Sequence, residues 1–170
     1  MKKIIFLLIL MLISGASVQA HETPSSTGSP ELKQIKSLAG TWAGESRKPD
    51  GRTQKIKVEY KITSGGSAVV ETLEPGTPHE MTSVYYDEKG KLRMTHYCML
   101  GNRPTLELKK SGAQKFQFEL IKSASINPKK DMHMHALNLS TPAADQLIQE
   151  WTCFQQGKSA GVTVFTLKKT

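Results

Sequence analysis

Residues 55–62 read Lys-Ile-Lys-Val-Glu-Tyr-Lys-Ile, so every second side chain is apolar. The same alternation recurs over residues 91–98, Lys-Leu-Arg-Met-Thr-His-Tyr-Cys, and over residues 115–120, Lys-Phe-Gln-Phe-Glu-Leu. A period of two is typical of antiparallel strands that have one face in a core and the other in water. These stretches therefore predict an all-β protein.

Turn-forming residues separate the alternating stretches along the rest of the chain. Clusters such as Pro-Asp-Gly at 49–51 and Asp-Glu-Lys-Gly at 87–90 are typical of tight connections. About ten strands are predicted, at 41–48, 53–63, 67–74, 80–87, 91–99, 104–110, 114–122, 131–140, 146–155 and 161–168. Many short strands without intervening helices favour an antiparallel up-and-down β-barrel over a sandwich, and a barrel of this size can hold one small ligand.

One short helix is predicted before the first strand, near residues 30–38. Ser29 suits the N-cap, Pro30 suits the first helical position, and apolar residues recur on one face of the segment. Gly40 is predicted to end it.

The N-terminus has the pattern of a secretory signal. Residues 1–20 combine two lysines, an apolar run at 4–13 and small residues that end at Ala20, where cleavage is predicted. The apolar run is too short to span a bilayer, so a periplasmic or secreted protein without a transmembrane segment is expected. Residues 21–30 lack an apolar anchor and are predicted to be a flexible linker, which leaves 31–170 as one barrel domain.

The charge of the chain is moderately basic. The full sequence carries a formal charge of +8, and loss of the two signal-peptide lysines leaves 21 basic and 15 acidic residues. The lysines are dispersed over strands and turns, without the clustered basic and aromatic residues of a nucleic-acid-binding surface. We therefore expect a solvated outer face and no nucleic-acid partner.

Residues 38–44, Leu-Ala-Gly-Thr-Trp-Ala-Gly, resemble the Gly-x-Trp opening of the calycin superfamily, which includes the lipocalins. Further stretches are similar to a group of bacterial lipocalin-like domains that has no settled activity: residues 81–87, 92–98, 101–104 (Gly-Asn-Arg-Pro), 150–152 (Glu-Trp-Thr) and 157–158. The resemblance covers most of residues 31–168.

This resemblance implies a ligand-holding barrel with a structural role for its first strand. Trp42, after Gly40, would pack across one end of the barrel, and Lys168 or Lys169 of the last strand would lie over its ring as a cation–π partner. The chain also resembles nitrobindin, a more distant ten-stranded family that binds haem through a C-terminal histidine. This sequence has no histidine after His135, so the matching ligand is missing.

Several residues are candidates for contacts inside the barrel. His96 and Cys98 share a strand face with Met94, and polar groups in a dry interior need partners. The pattern therefore predicts a polar spot in a cavity, and the alternative is a hydrogen-bonded core histidine beside a buried thiol. The aromatic candidates for the cavity wall, which could equally be ordinary core residues, are Tyr60, Tyr85 or its neighbour Tyr86, Tyr97 and Trp151.

A weak metal-binding pattern lies at residues 131–135, Asp-Met-His-Met-His. His133 and His135 share one strand face, and with His96 they would form a three-histidine site if that face points inward. The face also carries Leu137 and Leu139, which slightly favours the inward orientation. In the other register the methionines face inward and the histidines lie outside.

Cys98 and Cys153 are the two cysteines of the chain. An exported protein can form a disulfide, but the two residues are predicted on strands that are not neighbours. Two buried thiols are therefore favoured over a bridge.

Three functions remain open at this level. The favoured one is non-enzymatic binding of a small hydrophobic or amphipathic molecule, such as a lipid or fatty acid, near His96. The alternatives are a metal- or haem-linked barrel that uses His96, His133 and His135, and an envelope protein that interacts through its outer surface. The sequence contains none of the common nucleophile-elbow, phosphate-loop or zinc-helix motifs, so an enzyme is disfavoured.

Overall fold

The computed structural model describes residues 28–121 and 125–170. The predicted signal peptide, residues 1–20, and most of the predicted linker lie outside the described residues. Within the described part, the chain forms ten strands and one short α-helix. The strands are β1 Gly40–Arg47, β2 Thr53–Thr63, β3 Ala68–Leu73, β4 Met81–Glu88, β5 Lys91–Tyr97, β6 Thr105–Gly112, β7 Lys115–Leu120, β8 His133–Ala143, β9 Gln146–Gln155 and β10 Lys158–Lys169.

The strands form a closed antiparallel barrel. Each strand pairs with its neighbours in the sequence, and β10 pairs with β1 to close the sheet. Closure pairs both edges of every described strand, which removes the exposed edges that an open sheet would present. The predicted all-β up-and-down barrel is confirmed, and its strand bounds fall close to the predicted ones because the alternating pattern and the turn residues agree.

The helix α1, Pro30–Lys36, closes one end of the barrel. The side chain of Ser29 caps it by accepting a hydrogen bond from the backbone N–H of Leu32. Ser29 is held in turn by Asp87 of β4, which accepts bonds from its backbone N–H and its hydroxyl. Leu32 and Ile35 are buried in the core. In the described part of the chain, no helix is long and apolar enough to cross a membrane.

Trp42 packs at the same end of the barrel. It is buried, and its indole N–H donates to the Leu38 carbonyl at 2.8 Å. The Nζ atom of Lys169 lies 5.4 Å from the centre of the Trp42 ring. Lys168 is exposed and pairs with Ala43. The cation over the indole is therefore Lys169, and the assignment of that role to Lys168 was wrong because the register places Lys168 opposite a different residue.

The core fills the barrel from the helix end toward its middle. Aromatic rings cross the interior, with Tyr85 edge-on to Phe118 at 5.9 Å between centroids and Phe118 stacked on Phe116. Both α1 and Trp42 belong to the same apolar cluster. Side chains of the apolar core therefore fill the barrel interior at the helix end.

Candidate ligand-binding site

A cavity of about 220 Å³ lies at the end of the barrel away from α1. Its apolar wall includes Ile56, Leu73, Met134, Trp151 and Phe165, which lie on β2, β3, β8, β9 and β10. Residues of the connecting segments, among them a lysine and a histidine, complete the lining at the rim. The cavity is thus a mainly apolar space inside a rigid sheet.

A row of polar side chains crosses the barrel interior beside this cavity. In the register of four adjacent strands, Tyr60 lies opposite Glu71, Glu71 opposite Ser83, and Ser83 opposite His96. Directly opposed residues point to the same face of a sheet, and all four are buried. Together they form a continuous polar row in an otherwise apolar core.

Glu71 is the centre of the row. Its carboxylate accepts hydrogen bonds from the Tyr60 hydroxyl at 2.7 Å, the Tyr85 hydroxyl at 3.1 Å and the Gln149 amide at 2.6 Å. Ser83 lies directly opposite Glu71 on β4, and its hydroxyl is one of the groups that lower the pKa of the carboxyl. Burial raises the pKa of Glu71, and the four hydrogen bonds oppose this shift. Four donors on two oxygens match the acceptor capacity of an ionised carboxylate.

The Ser83 hydroxyl connects this carboxylate to His96. Its oxygen lies 3.0 Å from His96 Nδ1. Either atom can be the donor in this contact, depending on which ring nitrogen of His96 carries the proton. Burial lowers the pKa of His96 to about 4, so the ring is neutral near pH 7 and carries one N–H.

His96 Nε2 has no hydrogen-bond partner among the described residues, although it is buried. The His96 ring lies against Trp151, with 4.9 Å between the ring centroids, and both residues line the cavity. The Trp151 N–H is occupied, because it donates to the Gln149 side-chain oxygen at 2.8 Å. A buried polar atom without a partner is costly unless a bound molecule supplies one.

The predicted cavity residues divide into two groups. His96 and Trp151 line the cavity, as the sequence indicated. Tyr60 and Tyr85 are fully buried beside it and hold Glu71 instead of forming its wall. Met94 is a fully buried core residue, and neither Met94 nor Cys98 lines the cavity. The polar spot predicted near His96 is present in the structure, and it extends across four strands.

Sequence reasoning missed three members of this network: Glu71, Ser83 and Gln149. A signal for them exists, because Glu71 alternates with the apolar residues Val69 and Leu73 in β3. Gln149 likewise alternates with the buried residues Leu147 and Trp151 in β9. A polar residue at a position that alternates with buried apolar residues in a strand therefore indicates such a network in the sequence.

His133 and His135 do not join His96. A bulge in β8 lies between Met134 and Ala136, where the register to β9 shifts. It turns Met134 toward the cavity and leaves His133 opposite Phe154 on the outer face. His135 stacks on the Phe154 ring at 3.8 Å between centroids.

The expected inward histidine face was therefore wrong, because the bulge changes the alternation within this strand. His133 is nevertheless buried, with its Nδ1 2.8 Å from the Asp131 carbonyl oxygen and its Nε2 3.2 Å from His135 Nδ1. Across residues 28–121 and 125–170, no group of three or more His, Cys, Asp or Glu residues is placed to hold a metal ion. The arrangement does not fit the three-histidine hypothesis.

Cys98 and Cys153 are free thiols in the structure. Cys98 is buried just after β5, and Cys153 is partly buried on β9, opposite Met134. Burial raises the pKa of both thiols, and the charge of Cys98 raises that of Cys153 further. These surroundings keep the thiols protonated and weakly nucleophilic.

Comparison with family models and with curated proteins finds no match to this chain. Among solved structures, a protein of unknown function from the DUF3598 family of Nostoc punctiforme PCC 73102 is similar over 84% of this chain, with a TM-score of 0.53 and 13% identity. The match covers 53% of that structure, so the chain spans about half of its length. A redesigned β-barrel matches 80% of this chain and 94% of its own, with a TM-score of 0.39 and 12% identity. The likeness to the first structure is one of fold alone.

Proposed function

We propose that this protein is a binding module that holds a small, mainly apolar molecule in the cavity opposite α1. The observation that carries the proposal is the unpartnered Nε2 of His96 at a mainly apolar cavity. An apolar pocket with a few convergent polar groups is the usual form of a small-molecule site. No catalytic step is needed to account for this arrangement.

The volume of the cavity limits the size of the ligand that it can hold. Drug-sized ligands occupy pockets of roughly 300–1,000 Å³, and an apolar cavity of about 150 Å³ holds benzene. A cavity of about 220 Å³ therefore suits a single substituted ring or a short chain. A long-chain fatty acid, one of the ligands considered from the sequence, would extend beyond the mouth.

The calycin resemblance belongs to the same proposal. Trp42 beneath Lys169 at the closed end matches the arrangement that the Gly-x-Trp opening implies. Lipocalin-like barrels are commonly ligand carriers, which favours binding over catalysis. The similarity of the fold favours a bound ligand, but the kind of ligand has to be inferred from the residues of the cavity.

Binding is tested with toluene and p-cresol as probes, followed by tryptophan fluorescence because Trp151 lines the cavity. Ser46 is a buried lining residue, so Ser46→Phe should fill the space and abolish the response. Thr166 is exposed on β10, and Thr166→Phe is the matched control that should bind normally. Failure of both probes to bind the wild-type protein, or equal binding by Ser46→Phe, would contradict the proposal.

We also propose that the protein works outside the cytoplasm, on the strength of the signal-like pattern in residues 1–20. Expression of the full chain in a Gram-negative host, followed by an intact mass of the periplasmic fraction, tests this. The expected mass corresponds to a chain that begins at His21. A full-length cytoplasmic product would contradict export without affecting the binding proposal.

A further inference from the structure

We infer that the ligand of this cavity is a neutral, ring-sized molecule that carries a hydroxyl or N–H group, of the phenol type, and that this group donates a hydrogen bond to His96 Nε2. The inference rests on the proposed binding function and specifies its ligand class.

The direction of the buried hydrogen bonds carries the inference. Two tyrosine hydroxyls and the Gln149 amide donate to Glu71, which is the pattern around an ionised carboxylate, a group that can only accept. Ser83 lies directly opposite Glu71 in the strand register. With its one proton directed to that carboxylate, the Ser83 oxygen accepts from His96 Nδ1, 3.0 Å away. A neutral imidazole has one N–H, so the proton on Nδ1 leaves Nε2 as a bare acceptor.

The rest of the network cannot supply the missing donor. The Gln149 amide is used by Glu71 and the Tyr60 hydroxyl, both at 2.6 Å. The Trp151 N–H is bound to the Gln149 oxygen. His96 Nε2 is therefore the acceptor that a molecule in this cavity would satisfy.

Charged ligands fit this site poorly. A carboxylate offers only acceptors and would face the lone pair of His96, with the charge of Glu71 behind it. An ammonium group could donate, but Glu71 is fully buried with its oxygens already bonded, so the cation would lose its hydration without gaining an ion pair. The charged residues that line the cavity, Lys48 and Glu74, lie in the connecting segments at its rim.

The apolar walls define the rest of the ligand. Trp151, Phe165 and Ile56 line the cavity, and its volume suits one substituted ring. A phenol combines such a ring with one hydroxyl group that is a strong hydrogen-bond donor.

The experiment compares four probes that share a methyl-substituted ring, using the wild-type protein at neutral pH. These are p-cresol, 4-methylanisole, toluene and 4-methylbenzoate, and only p-cresol is a neutral donor. We expect p-cresol to bind roughly tenfold more tightly than toluene or 4-methylanisole, which is the worth of about one hydrogen bond. Binding of 4-methylbenzoate should be undetectable.

Two variants test the origin of the preference. His96→Phe keeps a ring and removes Nε2, so toluene should still bind and the advantage of p-cresol should vanish. Ser83→Ala breaks the link to Glu71 and frees the His96 ring to place its proton on either nitrogen. The ratio of p-cresol to 4-methylanisole affinity should then fall severalfold, an effect that a merely structural role of Ser83 would not produce.

The outcomes separate the two proposals. If all four ring probes bind with equal affinity and Ser46→Phe blocks them, the cavity binds ligands and the donor requirement is wrong. A preference for 4-methylanisole or 4-methylbenzoate would also overturn the inference, because the polarity of His96 would be reversed. If neither toluene nor p-cresol binds, the proposed function itself fails.

Discussion

The Ser83 hydroxyl oxygen lies 3.0 Å from His96 Nδ1, on directly opposed positions of β4 and β5. This contact couples a buried carboxylate, Glu71, to the one unpartnered ring nitrogen beside the cavity. With the hydrogen-bond directions inferred above, Nδ1 of His96 carries the proton and Nε2 is free to accept. The same residues that stabilise the interior thus determine what the cavity can recognise.

Replacement of Glu71 should destabilise the fold although the new side chain has almost the same shape. In Glu71→Gln an amide N–H₂ would face side chains that already donate, so we expect a loss of about 1–3 kcal/mol in the free energy of unfolding, measured in urea. Glu45→Gln, at an exposed position of β1, should change it little. An unchanged or higher stability of Glu71→Gln would mean that the carboxyl is protonated in the native protein.

The stability of the protein should depend on His96 under mildly acidic conditions. Burial lowers the pKa of His96 to about 4 from its ordinary value of 6.5, so the unfolded chain binds a proton first as the pH falls. The stability that comes from the neutral His96 ring is therefore fully present above pH 6.5. As the pH falls from 6.5 to about 4, the free energy of unfolding decreases by up to roughly 3 kcal/mol. The raised pKa of Glu71 acts in the opposite direction, because the folded state then takes up a proton more readily.

The free energy of unfolding of wild type and His96→Gln is therefore measured in urea at several pH values. The difference between the two pH profiles gives the effect of His96 alone. His79→Gln, at an exposed histidine, should follow the wild-type profile. A parallel profile for His96→Gln and wild type would show that the ring is accessible to protons in the folded state.

Lys169 should contribute modestly to the closed end of the barrel. Its contact with the Trp42 ring is worth about 0.5–1 kcal/mol at an exposed site, so Lys169→Met should lower the free energy of unfolding by that amount. Lys168→Met is the matched neighbour and should be neutral. Equal effects of the two substitutions would argue against a cation–π contact.

Both cysteines should react slowly in the native protein. Burial raises the pKa of Cys98 and Cys153, which lowers the thiolate fraction that attacks Ellman's reagent. Two thiols should become reactive at once in denaturant. Absence of reactive thiols after unfolding would reveal a disulfide and refute the free-thiol state.

The sequence predicted the barrel well and the site in part. Alternation with a period of two specifies strands and their inner faces, and the turn residues separate them, so the ten strands were found within a few residues. His96 was recognisable because a polar side chain stood on an otherwise apolar face beside Met94.

The rest of the site depends on relationships that a single strand does not display. Glu71, Ser83 and His96 are separated in sequence and meet only through the register of three strands. The orientation of His133 was predicted incorrectly because a single bulged residue, His135, reverses the alternation. Bulges leave no mark in a binary pattern of apolar and polar residues.

The most direct test of the account is the nitrogen NMR spectrum of the His96 ring, recorded with and without p-cresol. We predict that Nδ1 carries the proton in the free protein, and that p-cresol shifts the Nε2 signal as it accepts a hydrogen bond while Nδ1 stays protonated. A proton on Nε2 in the free protein, or an Nε2 signal that does not respond to bound p-cresol, would contradict the account.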